Sequence, residues 1–588
     1  MPDKAFRSQW LRVVFWLIAL ILGGLHAWAA IKSHSMNPDG VAYLDIGDAY
    51  LRGDWSMAIN SYWSPLYSWI LGAVMHALHP SIRWEFPAVH IINFFVYVFA
   101  LICFEFFWLR LMRWHQARSS GDATISFPEW AWLGLGYSLF IYCALNLIKI
   151  WSVTPDMLVA AIVFLAAGLI VRIRAGAANW RMFALLGTVL AIGYLAKTAM
   201  FLLAFIFLAA SIFSVGDLRR AAKLAPVALA FFLLIAGPYV AVLSVAKGGL
   251  TFGDTGKLMY AWHVNGVPHP HWQGEVLGAG TPKHPSRKIF ELPSIYEFGR
   301  ASAGTYPVSY DPSYWYEGVT PHFELRGQIN VLLSSMEYYF DLFFRQQGGL
   351  IACVLILYFL IREQRPIIIH KILQESGLSI LALLSLGMFA LVHVQPRYIG
   401  AFVVLLWADI FARVNLPASW KSRRLLSFAS ALMVLFLLMN IAAFNLEGFR
   451  DLTGFGKVNN IASPQQAGPP NWPGAVAEDL HRLGIRSGDK VGVIGYAFDS
   501  FWARLARVQI VAEMFDGQAD QFWLGAPVFQ STVLQAFARS GAKAIVAERV
   551  PNYVTPSGWH RIGSSSYYIY AFASHTASEV GSLAIDLH

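Results

Sequence analysis

The residues best suited to chemistry are a small set of charges at the ends of apolar runs. Asp39 stands in Asn37-Pro38-Asp39-Gly40, directly after the first long apolar stretch, where a membrane helix would release the chain into water. A carboxylate there is placed for catalytic work at the aqueous side of the membrane. Lys149 and Asp156 bracket a short turn between two further apolar runs, Lys197 closes another run, and His393 with Arg397 and Tyr398 lies between two more. Ionisable groups at such depth are expensive and tend to pair or to serve a site. Gathered at one face, they suit a substrate that carries a phosphate, with a carboxylate left over for acid/base work.

The elements that must position these groups follow from composition. With 57% hydrophobic residues and only 13% charged over 588 residues, the chain is too apolar for a soluble protein and reads as a polytopic α-helical membrane protein. The net charge of +9 points to no nucleic acid, because the basic residues fall in short clusters between apolar runs, as membrane topology requires. Cys103, Cys143 and Cys353 all lie inside apolar runs and lack the spacing of a disulfide framework or a zinc cluster.

About eleven spans of bilayer-crossing character are expected, near 13–31, 88–111, 130–148, 157–173, 182–196, 199–215, 224–245, 350–361, 378–394, 399–414 and 425–443. Lys4, Arg7 and Arg12 put the N-terminus on the cytoplasmic side, and the clusters at Arg172 to Arg181, Arg219 to Lys223, Arg362 to Lys371 and Lys421 to Arg424 return to that side. Asp39, Lys149, Asp156, Lys197, His393 and Arg397 then share the opposite, outer face. A shorter apolar piece at 66–78 suits a helix lying in the interface. Residues 1–445 form the membrane part, with outer loops 32–87 and 247–345. A Pro- and Gly-rich linker, 446–474, leads to a tail, 475–588. There, helix-patterned 476–483 and 532–540 alternate with strand-like 490–494 and 543–547, so a small extracytoplasmic α/β domain is expected.

The order of motifs resembles a known superfamily. Pro38-Asp39 after the first span, Tyr43 four residues on, Gly53-Asp54-Trp55 and Ser64-Pro65-Leu66-Tyr67 are similar to the first outer loop of GT-C glycosyltransferases, in the protein O-mannosyltransferase and aminoarabinose transferase branch. Thr154-Pro155-Asp156, Ala196-Lys197-Thr198 and Pro396-Arg397-Tyr398 match further landmarks. The resemblance implies a multi-pass enzyme of the plasma (inner) membrane that moves a sugar from a polyprenyl-phosphate donor to a cell-envelope acceptor at the extracytoplasmic face. Asp39 is then the base of an inverting displacement, and Asp156 a second catalytic-site carboxylate that orients the acceptor, positions a cation or supports the lysines. Arg397, Lys197, Lys149 and Tyr398 hold the donor phosphate, and Tyr43, Tyr67, His393, Trp272 and Trp315 contact substrate. Two departures are plain: this chain has Asp39-Gly40 where many relatives carry two acidic residues, and Trp63-Ser64-Pro65 where the aminoarabinose branch has a basic residue before a double proline.

Each assignment has a plainer counterpart. Asp39 and Asp156 are also helix-start residues, and Lys149 and Lys197 also read as snorkelling span ends. Aromatics such as Trp272 and Trp315 are enriched at membrane interfaces as well as in sugar sites. His269 and His271, two apart between prolines, lack a third ligand in sequence, so a divalent metal ion stays an open option without assigned ligands. Gly253 to Lys257 lacks the GxxxxGK spacing of a phosphate loop, and Gly492 to Gly495 lacks the third glycine of a dinucleotide fingerprint. A lipid-linked-sugar flippase would place its charges at the bilayer midplane with internal repeats. A non-catalytic envelope scaffold would not need Asp39.

Overall fold

The computed structural model describes residues 2–119, 124–298, 304–362, 377–453 and 472–572. Most of the expected linker, and the cationic stretch beyond Arg362 as far as Lys371, lie outside the described residues.

In chain order the helical part runs α1 (Pro2–Ser33), α2 (Pro38–Leu51), α3 (Pro65–Leu78), α4 (Glu85–Ser119), α5 (Glu129–Tyr142), α6 (Asp156–Arg172) and α7 (Trp180–Ala196). It continues through α8 (Ala199–Val215), α9 (Leu218–Lys247), α10 (Leu325–Phe340), α11 (Gly348–Arg362), α12 (Gly377–Ala390), α13 (Pro396–Ala412) and α14 (Trp420–Thr453). Among the described residues, 6 helices are long and apolar enough to cross a bilayer: α1, α4, α5 with its continuation to Ile148, α6 with its continuation to Ala177, α9 and α14. The chain is a multi-pass membrane protein. Residues Leu325–Gln346 and Gly348–Phe359 pass the same test only as a pair bent by 74°, and α3, α7, α8 and α12 are shorter apolar helices. Part of the expected outer loop, 325–345, is therefore helical.

The bundle core is aromatic. Phe104 stacks on Phe140 at 4.9 Å and meets Phe164 edge-on at 5.5 Å, which joins α4, α5 and α6. Large apolar side chains such as Phe95, Phe213 and Leu234 are exposed, as a lipid-facing surface requires. One ionic group inside the bundle is fully matched: Arg12 of α1 pairs with Glu105 of α4 at 2.7 Å, and the Tyr137 hydroxyl donates to the same carboxylate at 2.7 Å.

The first outer segment folds as α2 laid against α3. Their backbones meet at two glycines: a Cβ on Gly47 would sit 2.7 Å from the Ser68 carbonyl oxygen and 3.0 Å from the Gly72 Cα. This close approach fixes the rotation of α2, and so the direction in which its first turn points.

Beyond the helices lies a sheet of seven strands: β1 (Arg287–Phe290), β2 (Ile295–Glu297), β3 (Lys490–Ile494), β4 (Gln509–Met514), β5 (Ala544–Ala547), β6 (His560–Arg561) and β7 (Tyr568–Ala571), in the order β1-β2-β4-β3-β5-β7-β6. β3 is parallel to both β4 and β5, and the other pairings are antiparallel. The strands expected at 490–494 and 543–547 are β3 and β5, flanked by helices Trp472–Arg482 and Pro527–Arg539. The outer loop is part of the same sheet, since β2 pairs with β4 in the register Tyr296↔Glu513. The carboxyl ends of β4, β3 and β5 form the crevice at which open α/β sheets change direction.

Candidate active site

Four helix ends converge on one point. Asp39 lies in the first turn of α2 and Asp156 in the first turn of α6, where the positive end of the helix dipole favours a carboxylate. Lys197 is the C-cap of α7, where a cation is favoured. Arg397 has the opposite placement: it follows Pro396 in the first turn of α13, against the dipole. Two carboxylates offset that cost. Arg397 Nη2 is 3.2 Å from Asp39 Oδ2, and Arg397 Nε is 3.5 Å from Asp156 Oδ2. Lys197 Nζ donates to the other oxygen of Asp156 and lies 3.8 Å from the centre of the Tyr398 ring. Asp156 is thus a buried bridge between two cations, while the Asp39 side chain keeps 28% of its surface open. Asp156 Oδ2 and Arg397 Nε are both buried and face each other at 3.5 Å as an ion pair, without a hydrogen bond between them.

Local sequence sets this geometry. Asn37 exchanges hydrogen bonds with Val153: its Nδ2 donates to the Val153 carbonyl at 3.3 Å and its Oδ1 accepts from the Val153 amide at 2.8 Å. That ties the start of α2 to the turn that delivers Asp156. Gly40 is the residue this contact requires, because a Cβ there would lie 2.7 Å from Val153 Cγ1. The departure from a double acidic motif therefore has a steric cause.

The remaining expected residues are distributed around this cluster. Tyr43, one turn after Asp39, is buried and meets Trp63 and Tyr67 edge-on at 5.0 and 5.1 Å. Tyr67 is fully buried and donates to Asn93 Oδ1 at 2.6 Å. His393 stacks on His263 at 3.8 Å. Lys149 lies 5.4 Å from the Trp151 ring and makes no ion pair among the described residues. Trp272 and Trp315 are buried in the outer unit: Trp272 stacks on Tyr316 at 6.0 Å, and Trp315 Nε1 donates to the Pro307 carbonyl at 3.0 Å. His269 and His271 diverge. His271 is enclosed between Ser286 Oγ at 3.0 Å and Glu513 Oε2 at 3.1 Å, whereas His269 faces Asp39. Among the described residues no group of His, Cys, Asp and Glu has metal-holding geometry, and the two site carboxylates are already matched to cations.

Above Asp39 opens a cleft of about 180 Å³, lined by Tyr62, Trp63, Trp262, His269, Tyr316, Tyr496 and Phe498 among others. Burial and the neighbouring His263 hold the His269 imidazole below its usual range, against the opposing charge of Asp39. Of these residues, Trp262, Tyr316 and His269 stand in the stretch whose aromatics the sequence singles out, but Tyr62, Tyr496 and Phe498 carry no sequence signal that sets them apart.

No protein-family model and no curated protein sequence matches the chain. Solved structures do. The apo crystal structure of ArnT, an aminoarabinose transferase from Cupriavidus metallidurans, matches with a TM-score of 0.50 at 13% identity over 96% of this chain and 98% of that one. The same protein bound to undecaprenyl phosphate gives a TM-score of 0.49 at 12% identity, over 97% and 99%. An oligosaccharyltransferase of Archaeoglobus fulgidus, in complex with Zn and sulfate, gives 0.44 at 12% identity over 90% of this chain and 68% of its own. The fold of this chain is thus the GT-C fold that its motif order implies.

Proposed function

We propose that this chain is an integral membrane glycosyltransferase that moves a sugar from a polyprenyl-phosphate donor to a hydroxyl of a cell-envelope acceptor. Its membrane part makes about eleven crossings: the six long helices, the bent pair, and α7, α8, α12 and α13, with α3 left in the interface. The N-terminus is cytoplasmic and the sheet-containing tail lies outside.

One observation carries the reading. Asp39, open to the cleft, shares Arg397 with a buried Asp156–Lys197 pair. A base and a phosphate-holding cation are thereby brought into one site. Asp39 takes the proton of the acceptor hydroxyl while that oxygen bonds to the anomeric carbon. The bond from that carbon to the phosphate oxygen breaks, and its electron pair leaves with the phosphate. Arg397 and Lys197 stabilise the charge that develops there. Asp156 keeps both cations in place. ArnT, which shares the fold, binds undecaprenyl phosphate, a carrier of this chemical class.

The test is transfer of radiolabel from polyprenyl-phosphate sugars by membranes holding wild type or Asp39→Asn, with native envelope extract as acceptor. Wild type is expected to move label, and Asp39→Asn to lose about a hundredfold or more of that rate. Equal transfer by the variant would remove Asp39 from the mechanism. Absence of transfer from every donor by correctly inserted wild type would overturn the reaction itself.

A further inference from the structure

The walls of the cleft above Asp39 form an unbroken series of rings contributed by three distant parts of the chain. Trp63 meets Tyr62 at 4.5 Å, Tyr62 meets Trp262 at 5.8 Å, Trp262 meets His269 at 4.5 Å, His269 meets Phe498 at 5.6 Å, and Phe498 meets Tyr496 at 5.3 Å. Tyr496 and Phe498 come from the tail. They follow the carboxyl end of β3, at the crevice between β4 and β5 where open α/β sheets bind ligands. The carboxyl end of this interior strand is turned toward the Asp39 cleft, with both rings half-buried rather than packed away.

Three features define what fits. At about 180 Å³ the cleft is smaller than the roughly 300–1,000 Å³ of drug-sized sites, a size that matches a single sugar ring. Among the described residues its only charged lining group is Asp39, and Arg397 beneath it, paired with Asp39 and Asp156, is the cation assigned above to the donor phosphate. A phosphate on the acceptor would therefore meet the Asp39 carboxylate, with no cation among the described lining residues. Aromatic faces carry negative π-density, which favours the slightly positive C–H face of a pyranose, while the ring's hydroxyls are left to reach Asp39.

We propose that the tail and outer loops together form an acceptor subsite for a neutral hexopyranosyl unit, with Tyr496 and Phe498 as its specificity-determining wall. The direction of transfer rests on the glycosyltransferase reading above, but binding of the sugar does not.

The experiment uses the purified full chain in lipid nanodiscs on an array carrying maltotriose, mannotriose and chitotriose, their phosphorylated forms, and hydroxyl-rich peptides. At least one neutral trisaccharide is expected to be retained, with its phosphorylated form about tenfold weaker or more. Tyr496→Ala and Phe498→Ala should each lose about tenfold in retention, while Tyr496→Phe, which keeps the ring and controls for folding, should bind like wild type. Preference for a peptide or phosphorylated sugar, alanine variants that bind like wild type, or no retention of any neutral sugar would each overturn the subsite. So would a rise in KM for the lipid donor, with the acceptor KM unchanged, in Tyr496→Ala. Sugar retention without label transfer would support the subsite and overturn the transferase reading. Label transfer to lipid or peptide without sugar retention would do the reverse.

Discussion

Arg504, in the tail helix Phe501–Leu505, is expected to hold the helix that carries Asp39, and Arg504→Met tests this. Its side chain is 3% exposed; Nη1 is 2.7 Å from Asp45 Oδ1 and 2.6 Å from Asp48 Oδ2, and Nε is 2.7 Å from Glu85 Oε1. Asp45 and Asp48 lie on α2, and Asp45 is about 9 Å along the helix axis from Asp39. Arg507 adds contacts of 3.1 Å to Asp48 and 2.7 Å to Glu85. Removing Arg504 leaves three carboxylates, two of them deeply buried, facing one guanidinium. Breaking a buried ion pair from one side costs about 3–5 kcal/mol. The lower end applies here, because Glu85 keeps Arg507 and Asp45 still accepts from the Thr305 amide at 2.6 Å and its hydroxyl at 3.0 Å.

A loss of about 3 kcal/mol is roughly a hundredfold in the opening equilibrium of α2. Hydrogen exchange of residues 38–51 in the full chain at pH 7 should accelerate by about that factor, with α6 unchanged. The pH dependence has a definite sign. Burial already pushes the Asp45 carboxyl up, and loss of Arg504 pushes it further. A carboxyl whose pKa is raised by folding binds its proton more tightly in the folded state, so protection in Arg504→Met should recover as pH falls from 7 toward the ordinary carboxylate range. Adding Asp45→Asn, which removes the stranded charge and keeps the acceptor for Thr305, should restore most of the protection at pH 7. Unchanged exchange in the single variant, or a double variant worse than the single, would refute the reasoning.

Further outcomes follow from the same geometry. Arg397→Lys offers a compact ammonium where two carboxylates and a phosphate need a fork, so kcat for label transfer should fall about tenfold to a hundredfold with the acceptor KM unchanged. Gly47→Ala drives a Cβ into the Ser68 carbonyl and should cost about 1–3 kcal/mol, read as a lower melting temperature in detergent, whereas Gly256→Ala, which meets nothing within 4 Å, should be neutral. Glu548 accepts from Ser500 Oγ at 2.6 Å and Trp502 Nε1 at 2.9 Å, yet burial pushes its pKa up to about 7. The tail should therefore be more stable at pH 5.5 than at pH 8, losing roughly 2 kcal/mol over that window, and Glu548→Gln should flatten that dependence in hydrogen exchange of β5.

The charged part of the site was legible in the sequence and the aromatic part was not, for a physical reason. A carboxylate or guanidinium at the end of an apolar run is so costly that its placement is nearly forced. Sidedness alone therefore brings Asp39, Asp156, Lys197 and Arg397 to one surface, and the structure joins them in one ion cluster. Lys149 satisfies the same rule but turns to Trp151, because a lysine stem reaches several neighbours from one Cα. Aromatics obey no such rule: a tryptophan is equally at home in a core, an interface or a cleft. Trp272 and Trp262 stand ten residues apart in the same loop, and only tertiary packing buries the first and opens the second to the cleft. The same limit hid β4, whose Gln509–Met514 carries Glu513 in the middle of a buried strand. That carboxylate is tolerable only because Tyr306, His271 and the Ala497 amide reach it from elsewhere in the fold. Those partners come from the outer loop and from the crevice that carries Tyr496 and Phe498. The contact that conceals the strand from a local reading thus also fastens the tail to the cleft above Asp39.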